Sequence, residues 1–256
     1  MNEQGEVRLE QSEGLGIIVL SRPQKLNALS PHMRMSLGTC LAQVAQDTSI
    51  KLVLIRAEGT DFCTGADLVG APSEPLAWRE RIQMAQAHHL TIVRMNKPVI
   101  AAVQGRAIGG GASLALAADV MVMAEDAKLV FPFVRLGVVP DGGASALLQA
   151  KTSPATAIDL MLTAGTLTAQ EALRIGLTRR VVPAQDLQDS SLSLAKEMLK
   201  LPWEALMLTK ALCAQHWARG LEPVLAHESE AFALATSTQG HQRAISAMQA
   251  SLARKS

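Results

Sequence analysis

The chain has no tyrosine, four phenylalanines and three tryptophans. Its interior must therefore be aliphatic, and 48% hydrophobic residues over 256 positions are enough for a sizeable core. Charge of one sign is lacking too: 24 Lys and Arg against 23 Asp and Glu give a net charge of +1. There is no polybasic block and there are few rings for base stacking, which excludes the usual footprint of a nucleic-acid binder and of an electrostatically steered membrane protein. No uninterrupted apolar run reaches the roughly 18 residues of a spanning helix. The segment Met1-Asn2-Glu3-Gln4-Gly5-Glu6 has neither the basic nor the apolar part of a secretory signal. Three cysteines, Cys40, Cys63 and Cys213, are odd in number and widely spaced, so neither a disulfide framework nor a zinc site is expected. The expectation from these features is a cytoplasmic protein without a metal.

What is present is an alternation of apolar runs and amphipathic segments. Strands are predicted at 15–21, 51–56, 98–104, 120–124, 129–131 and 177–182. A helix opens after Ser30, a good N-cap followed by Pro31, and runs to about Asp47. Others cover 75–95, 112–118 and 154–163, and Thr168-Ala169-Gln170-Glu171 reads as a capping box that opens one more, closed by Gly176. From Leu187 onward only helical periodicity remains, with breaks predicted near Pro202 and Pro223. The expected organisation is an α/β body over 1–186 followed by a helical region over 187–256.

Two short segments carry chemistry. Phe62-Cys63-Thr64-Gly65-Ala66-Asp67-Leu68 and Gly105-Arg106-Ala107-Ile108-Gly109-Gly110-Gly111-Ala112-Ser113 are small-residue turns that follow strand-like runs, and the second opens a helix. Such turns let a ligand approach the main chain, so that two N–H groups can serve one developing oxyanion. Arg22-Pro23-Gln24-Lys25-Leu26-Asn27-Ala28-Leu29, Gly137-Val138-Val139-Pro140-Asp141-Gly142-Gly143, and Leu162-Thr163-Ala164-Gly165 with Ala169-Gln170-Glu171-Ala172 complete a set of five segments. In this order they resemble the crotonase, or enoyl-CoA hydratase/isomerase, superfamily over nearly the whole chain. The resemblance implies a spiral of repeated ββα units with a C-terminal helical region that builds trimers, often paired into hexamers. A tail that packs only on its own body is an equally plausible reading of those helices. It further implies a CoA thioester as substrate, with no separate cofactor, and its carbonyl oxygen held by the N–H groups of Ala66 and Gly110. Asp67, Leu68 and Val69 would then line the path of the adenine and pantetheine, and Arg22 and Lys25 would meet the CoA phosphates. Each has a plainer reading beside it: tight turns at Ala66 and Gly110, solvated cations at Arg22 and Lys25.

The departures from the family pattern are informative. Its hydratases carry two glutamates, one two residues after the third glycine and one eight residues before the later aspartate. Those positions hold Ser113 and Phe133 here. Serine is a poor acid or base without an activating partner, and phenylalanine transfers no proton. Asp141 after Pro140 matches the acidic residue of the family's isomerase-type members, with Phe133 and Ser113 as lining. One carboxylate suffices to move a proton from the α- to the γ-carbon of an enoyl thioester, and an apolar pocket would raise its pKa. The plainer role for Asp141 is to cap the helix beginning near Gly142 and Gly143.

The expectation is therefore an enoyl-CoA isomerase. The alternatives are a hydratase, a non-catalytic CoA binder, and a dehalogenase-like member with Asp141 as nucleophile; the last requires a histidine where Gln86 stands. A dinucleotide-binding opening at 98–111 fails because Leu114 occupies the place of the third glycine. His88 and His89 are expected to be structural or on the surface, Asp119 a hydrogen-bonded structural carboxylate, and Glu58 and Asp61 solvated.

Overall fold

The computed structural model describes residues 4–68 and 71–253. In chain order these form β1 (Glu6–Ser12), β2 (Leu15–Ser21), α1 (Pro31–Gln46), β3 (Leu52–Ala57), α2 (Pro75–Arg94), β4 (Val99–Val103), β5 (Arg106–Ile108), α3 (Gly110–Ala117), β6 (Val120–Ala124), β7 (Lys128–Val130), α4 (Ala144–Lys151), α5 (Pro154–Leu162), β8 (Thr166–Thr168), α6 (Ala169–Arg174), β9 (Val181–Val182), α7 (Leu187–Leu199), α8 (Trp203–Thr236) and α9 (Gln239–Ala253). One sheet has the order β1-β2-β3-β4-β6-β9, and a smaller one the order β5-β7-β8. This is the α/β architecture with a helical C-terminal region that the family resemblance implies.

Helix α1 begins as its sequence dictates, the Ser30 side chain accepting from the Met33 N–H. The capping box at Thr168 and Glu171 is closed in both directions. Strands β2, β3, β4 and β6 pair in parallel and are buried on both faces, which explains their continuous Val, Ile, Leu and Ala runs. Because β3 and β4 are adjacent and parallel, the turns that follow them leave the same end of the sheet. They are then stitched together: Ile108 N donates to Cys63 O at 2.9 Å and Cys63 N to Arg106 O at 3.2 Å. The approach is so close that a Cβ on Gly111 would lie 2.1 Å from the Cys63 carbonyl oxygen, so only glycine fits there. Placing both glycine-bearing turns at the carboxyl ends of adjacent strands puts a crevice at the usual ligand position of a parallel sheet.

The C-terminal region is anchored on the body of its own chain. Lys210 Nζ, on α8, donates to Ile92 O and Lys97 O at 2.9 Å and pairs with Asp119 at 2.8 Å. Helix α8 crosses α2 through Arg79–Glu230 and Arg94–Glu222 ion pairs and a Trp78–Phe232 ring contact at 5.5 Å. Asp119 also accepts from Val99 N, the structural role its position suggests. No helix of the described residues is long and apolar enough to cross a membrane.

Two expectations about elements require correction. Pro223 does not break the last helical segment; it lies within α8. It lacks one backbone donor, but Leu221 and Leu225 on either side are buried and Glu222 is tied to α2, so packing outweighs the missing bond. The strand predicted over 177–182 is reduced to β9, because Leu177 N and Thr178 N donate to Ala172 O at the end of α6 instead of joining a ladder.

Candidate active site

Leu29 forms a parallel bridge with Ala66 in which Leu29 N donates to Gly65 O and Asp67 N to Leu29 O. A parallel bridge of this kind uses the neighbours of Ala66 and turns the Ala66 N–H to the other side. Gly110 is the first residue of α3, and its N–H is one of the donors that every helix start leaves without an intrahelical partner. Both residues line one cavity of about 40 Å³. The two turns therefore meet at one cavity beside a helix N-terminus, where negative charge is favoured.

Asp141 lines the same cavity. Its Oδ1 lies 3.8 Å from the point where a side chain on Gly110 would begin. That oxygen is shielded from solvent and has no hydrogen-bond partner among the described residues. The capping role is not what the carboxyl does: α4 starts without a side-chain cap, and the Gly143 N–H donates instead to Glu228 Oε2 at 2.8 Å. Burial pushes the Asp141 pKa up to about 6, while the charge of Arg81 opposes that rise.

The opposite wall comes from α1 and α2 and was not legible as a site. Arg34, Arg81, His88 and His89 all line the cavity. Arg34 donates to Leu29 O at 2.7 Å, and Arg81 Nη2 to Asp67 O at 2.5 Å. Arg81 thereby braces the turn that carries Ala66. The two histidines are buried, not on the surface, and both reach one cavity. Burial lowers His88 to about 4, helped by the Arg34 charge, and His89 to about 3, helped by His88, so both are neutral at pH 7. His89 Nδ1 is buried against the backbone of Gly142, which favours its charged form a little. Gln86 is elsewhere, its amide donating to Leu225 O at 2.7 Å, so a histidine does face Asp141's cavity, but one turn further along α2.

Other sequence candidates are placed differently from expectation. Arg22 is not a solvated cation: it is buried and pairs with Asp67 at 2.7 Å, which fastens the first loop to the Ala66 turn and occupies Asp67 as well. Lys25 is exposed on that loop, and Leu68 packs partly against the core. Val69 lies outside the described residues. Ser113 and Phe133 are buried and are not among the residues that line the cavity. The Ser113 hydroxyl reaches Asp141 O at 2.9 Å and Gly109 O at 3.2 Å, so it ties the Asp141 turn to α3. Phe133 underlies Gly109, its Cε1 3.8 Å from where a Cβ would stand. Asp61 is buried, not solvated, and pairs with Arg106 at 2.6 Å, while Glu58 remains partly exposed and pairs with Arg8 at 2.6 Å.

This geometry agrees with relationships across the whole chain. Residues 10–252 match the model of the enoyl-CoA hydratase/isomerase family. The chain is 32% identical over 241 residues to a crotonyl-CoA hydratase of Syntrophomonas wolfei, covering 93% of each. It is 34% identical over 203 residues to a 1,2-epoxyphenylacetyl-CoA isomerase of Escherichia coli, covering 77% of this chain and 78% of the other. Among solved structures, an enoyl-CoA hydratase from Mycobacterium avium subsp. paratuberculosis superposes with a TM-score of 0.87 at 28% identity, covering 94% of this chain and 97% of its own. The aliphatic spiral, the two facing turns and these matches together place this chain in the enoyl-CoA hydratase/isomerase family of acyl-CoA enzymes.

Proposed function

We propose that this enzyme shifts a carbon–carbon double bond in an enoyl-CoA, from the 3- to the 2-position. The observation that carries the reading is the unpartnered, solvent-shielded Oδ1 of Asp141 beside Gly110, in the cavity that Ala66 also lines. In the reaction, the thioester oxygen lies between the Ala66 and Gly110 N–H groups. Asp141 takes a proton from the α-carbon, the electron pair moves into a dienolate, and the negative oxygen is held by the two donors. The protonated Asp141 then returns the same proton to the γ-carbon, which leaves the 2-enoyl product and the original carboxylate. A base whose pKa lies near the working pH is suited to both halves of this transfer.

Hydration needs a second acid–base group to activate water. Ser113 is occupied with two carbonyls, Phe133 has no proton to give, and the cavity histidines are too weakly basic to share the task. The test pairs two assays, 3-enoyl-CoA isomerisation and 2-enoyl-CoA hydration, for the wild type and Asp141→Asn. Isomerisation is expected, falling roughly 10²–10⁴-fold in the variant. Fast hydration that ignores Asp141→Asn would overturn the reading in favour of a hydratase, and tight CoA binding with neither activity in favour of a non-catalytic member.

A further inference from the structure

Two guanidiniums face the acyl cavity, and neither has a carboxylate partner. Arg34, from α1, is buried, and Arg81, from α2, is half-buried; among the described residues neither forms an ion pair. Each gives one hydrogen bond to a backbone carbonyl, Arg34 to Leu29 O and Arg81 to Asp67 O, which leaves most of the donors of both forks unspent. The charges around them do not balance. Asp67 is paired with Arg22 at 2.7 Å, Asp141 supplies one carboxyl, and His88 and His89 are neutral. Burial and the Arg34 charge lower Arg81 to about 10 against the opposing pull of Asp67 and Asp141, and Asp67 likewise opposes the burial that lowers Arg34. With Arg22 the site holds three guanidiniums against the carboxyls of Asp67 and Asp141, so compensation is one charge short, and a buried cation short of its counter-charge is costly to a fold.

We propose that this wall receives a carboxylate on the acyl group, so that the preferred substrates are dicarboxylyl-CoA thioesters. The inference rests on the acyl-CoA reading of the same site. A CoA phosphate is the other possible anion, but the guanidiniums line the cavity that Asp141 and Gly110 share, which is the reacting end of a thioester. A planar guanidinium binds a carboxylate through paired N–H···O bonds, so the recognition is geometric as well as electrostatic.

The experiment is a binding comparison that does not depend on turnover. Calorimetry would compare saturated dicarboxylyl-CoA thioesters of four to six acyl carbons, monocarboxylyl thioesters of equal length, and free CoA. The proteins are the wild type, Arg34→Met, Arg81→Met and Arg81→Lys. The wild type is expected to prefer the dicarboxylyl thioester by roughly 10–100-fold, as befits a charged hydrogen-bonded contact. Each Met variant should lose most of that preference, read as the ratio of the two thioester affinities within the same variant, and Arg81→Lys should recover part of it. Equal affinity for the two thioesters in the wild type would overturn the proposal. So would an undiminished preference in both Met variants, or a parallel loss of free-CoA binding, which would assign the guanidiniums to CoA phosphates. An arginine-dependent preference in an enzyme without isomerase activity would sink the isomerase reading and leave this one standing.

Discussion

Glu228 Oε2 accepts a hydrogen bond from the Gly143 N–H at 2.8 Å, so a carboxylate on α8 holds the turn that carries Asp141. The other Glu228 oxygen accepts from Ser145 Oγ at 3.0 Å. This buried side chain takes over the start of α4, and the Asp141 carboxyl is thereby left out of the cap. Glu228→Ala should leave the Gly143 donor unsatisfied and destabilise the protein by about 1–3 kcal/mol. It should also lower isomerisation through displacement of Asp141, with kcat affected more than KM. Unchanged kcat at unchanged stability would show that the turn holds itself.

Both carboxyls titrate upward, and the sign of their linkage to stability follows. Burial raises Asp141 to about 6 and Glu228 to about 7, and the charge of Asp141 adds to the rise at Glu228. In each case the native state keeps a proton that the unfolded chain has released. Their stabilising contribution is thus complete below the unfolded values, near 4, and lost as pH rises through 6 to 7. Asp141→Asn escapes this loss. At pH 8 it should exceed the wild type in stability by up to about 3 kcal/mol, with the gap closing at pH 4. Denaturant melts at the two pH values measure it. In the wild type, kcat/KM for isomerisation should fall tenfold per pH unit below about pH 6, where Asp141 becomes protonated.

The fold was legible in sequence because its central strands are continuous apolar runs and its turns carry caps and glycines at diagnostic places. Strand β1 escaped notice because it is an edge strand with charged Arg8 and Glu10 facing outward, and its register comes only from pairing with β2. The site was half legible. Ala66, Gly110 and Asp141 stand in short local motifs, whereas Arg34, Arg81, His88 and His89 share a wall only because α1 and α2 cross above the sheet. Nothing in a helix sequence tells a buried arginine from a solvated one. Arg22 misled for the same reason, since its partner Asp67 is remote in sequence.

The helical tail packs on its own body, yet α8 keeps Leu208 and Leu212, four residues apart on one helical face, 57% and 72% exposed. With the trimer implied by the family resemblance, these are the contacts expected between copies. Sedimentation of the wild type should give a trimer or hexamer, and Leu208→Glu with Leu212→Glu a smaller species that remains soluble. A wild-type monomer would refute this.

The Gly110 N–H can be removed without disturbing its helix. Proline is tolerated at a first helical position because the missing donor has no intrahelical partner there. A Cβ at Gly110 would meet nothing closer than Asp141 Oδ1 at 3.8 Å. Gly110→Pro is therefore expected to fold, to bind CoA within a few-fold of the wild type, and to lose roughly 10²–10³-fold in kcat. Normal turnover in a folded variant would remove Gly110 from the chemistry.

Gly142 supplies the sharpest contrast. It has φ +63°, and a Cβ there would stand 2.3 Å from His89 Nδ1 and 3.0 Å from Ser113 Cβ. Alanine would thus impose left-handed strain and push the Asp141 turn off the imidazole. Gly142→Ala should cost about 2 kcal/mol or more in stability and reduce isomerisation by displacing the carboxylate. Removing the imidazole relieves the clash, so adding His89→Ala should restore part of the stability lost in Gly142→Ala. A double-mutant cycle separates the causes: a coupling near zero would mean that backbone strain alone sets the cost. A coupling above about 0.5 kcal/mol, the level expected of residues in contact, would locate it at the packing of His89 against the catalytic turn.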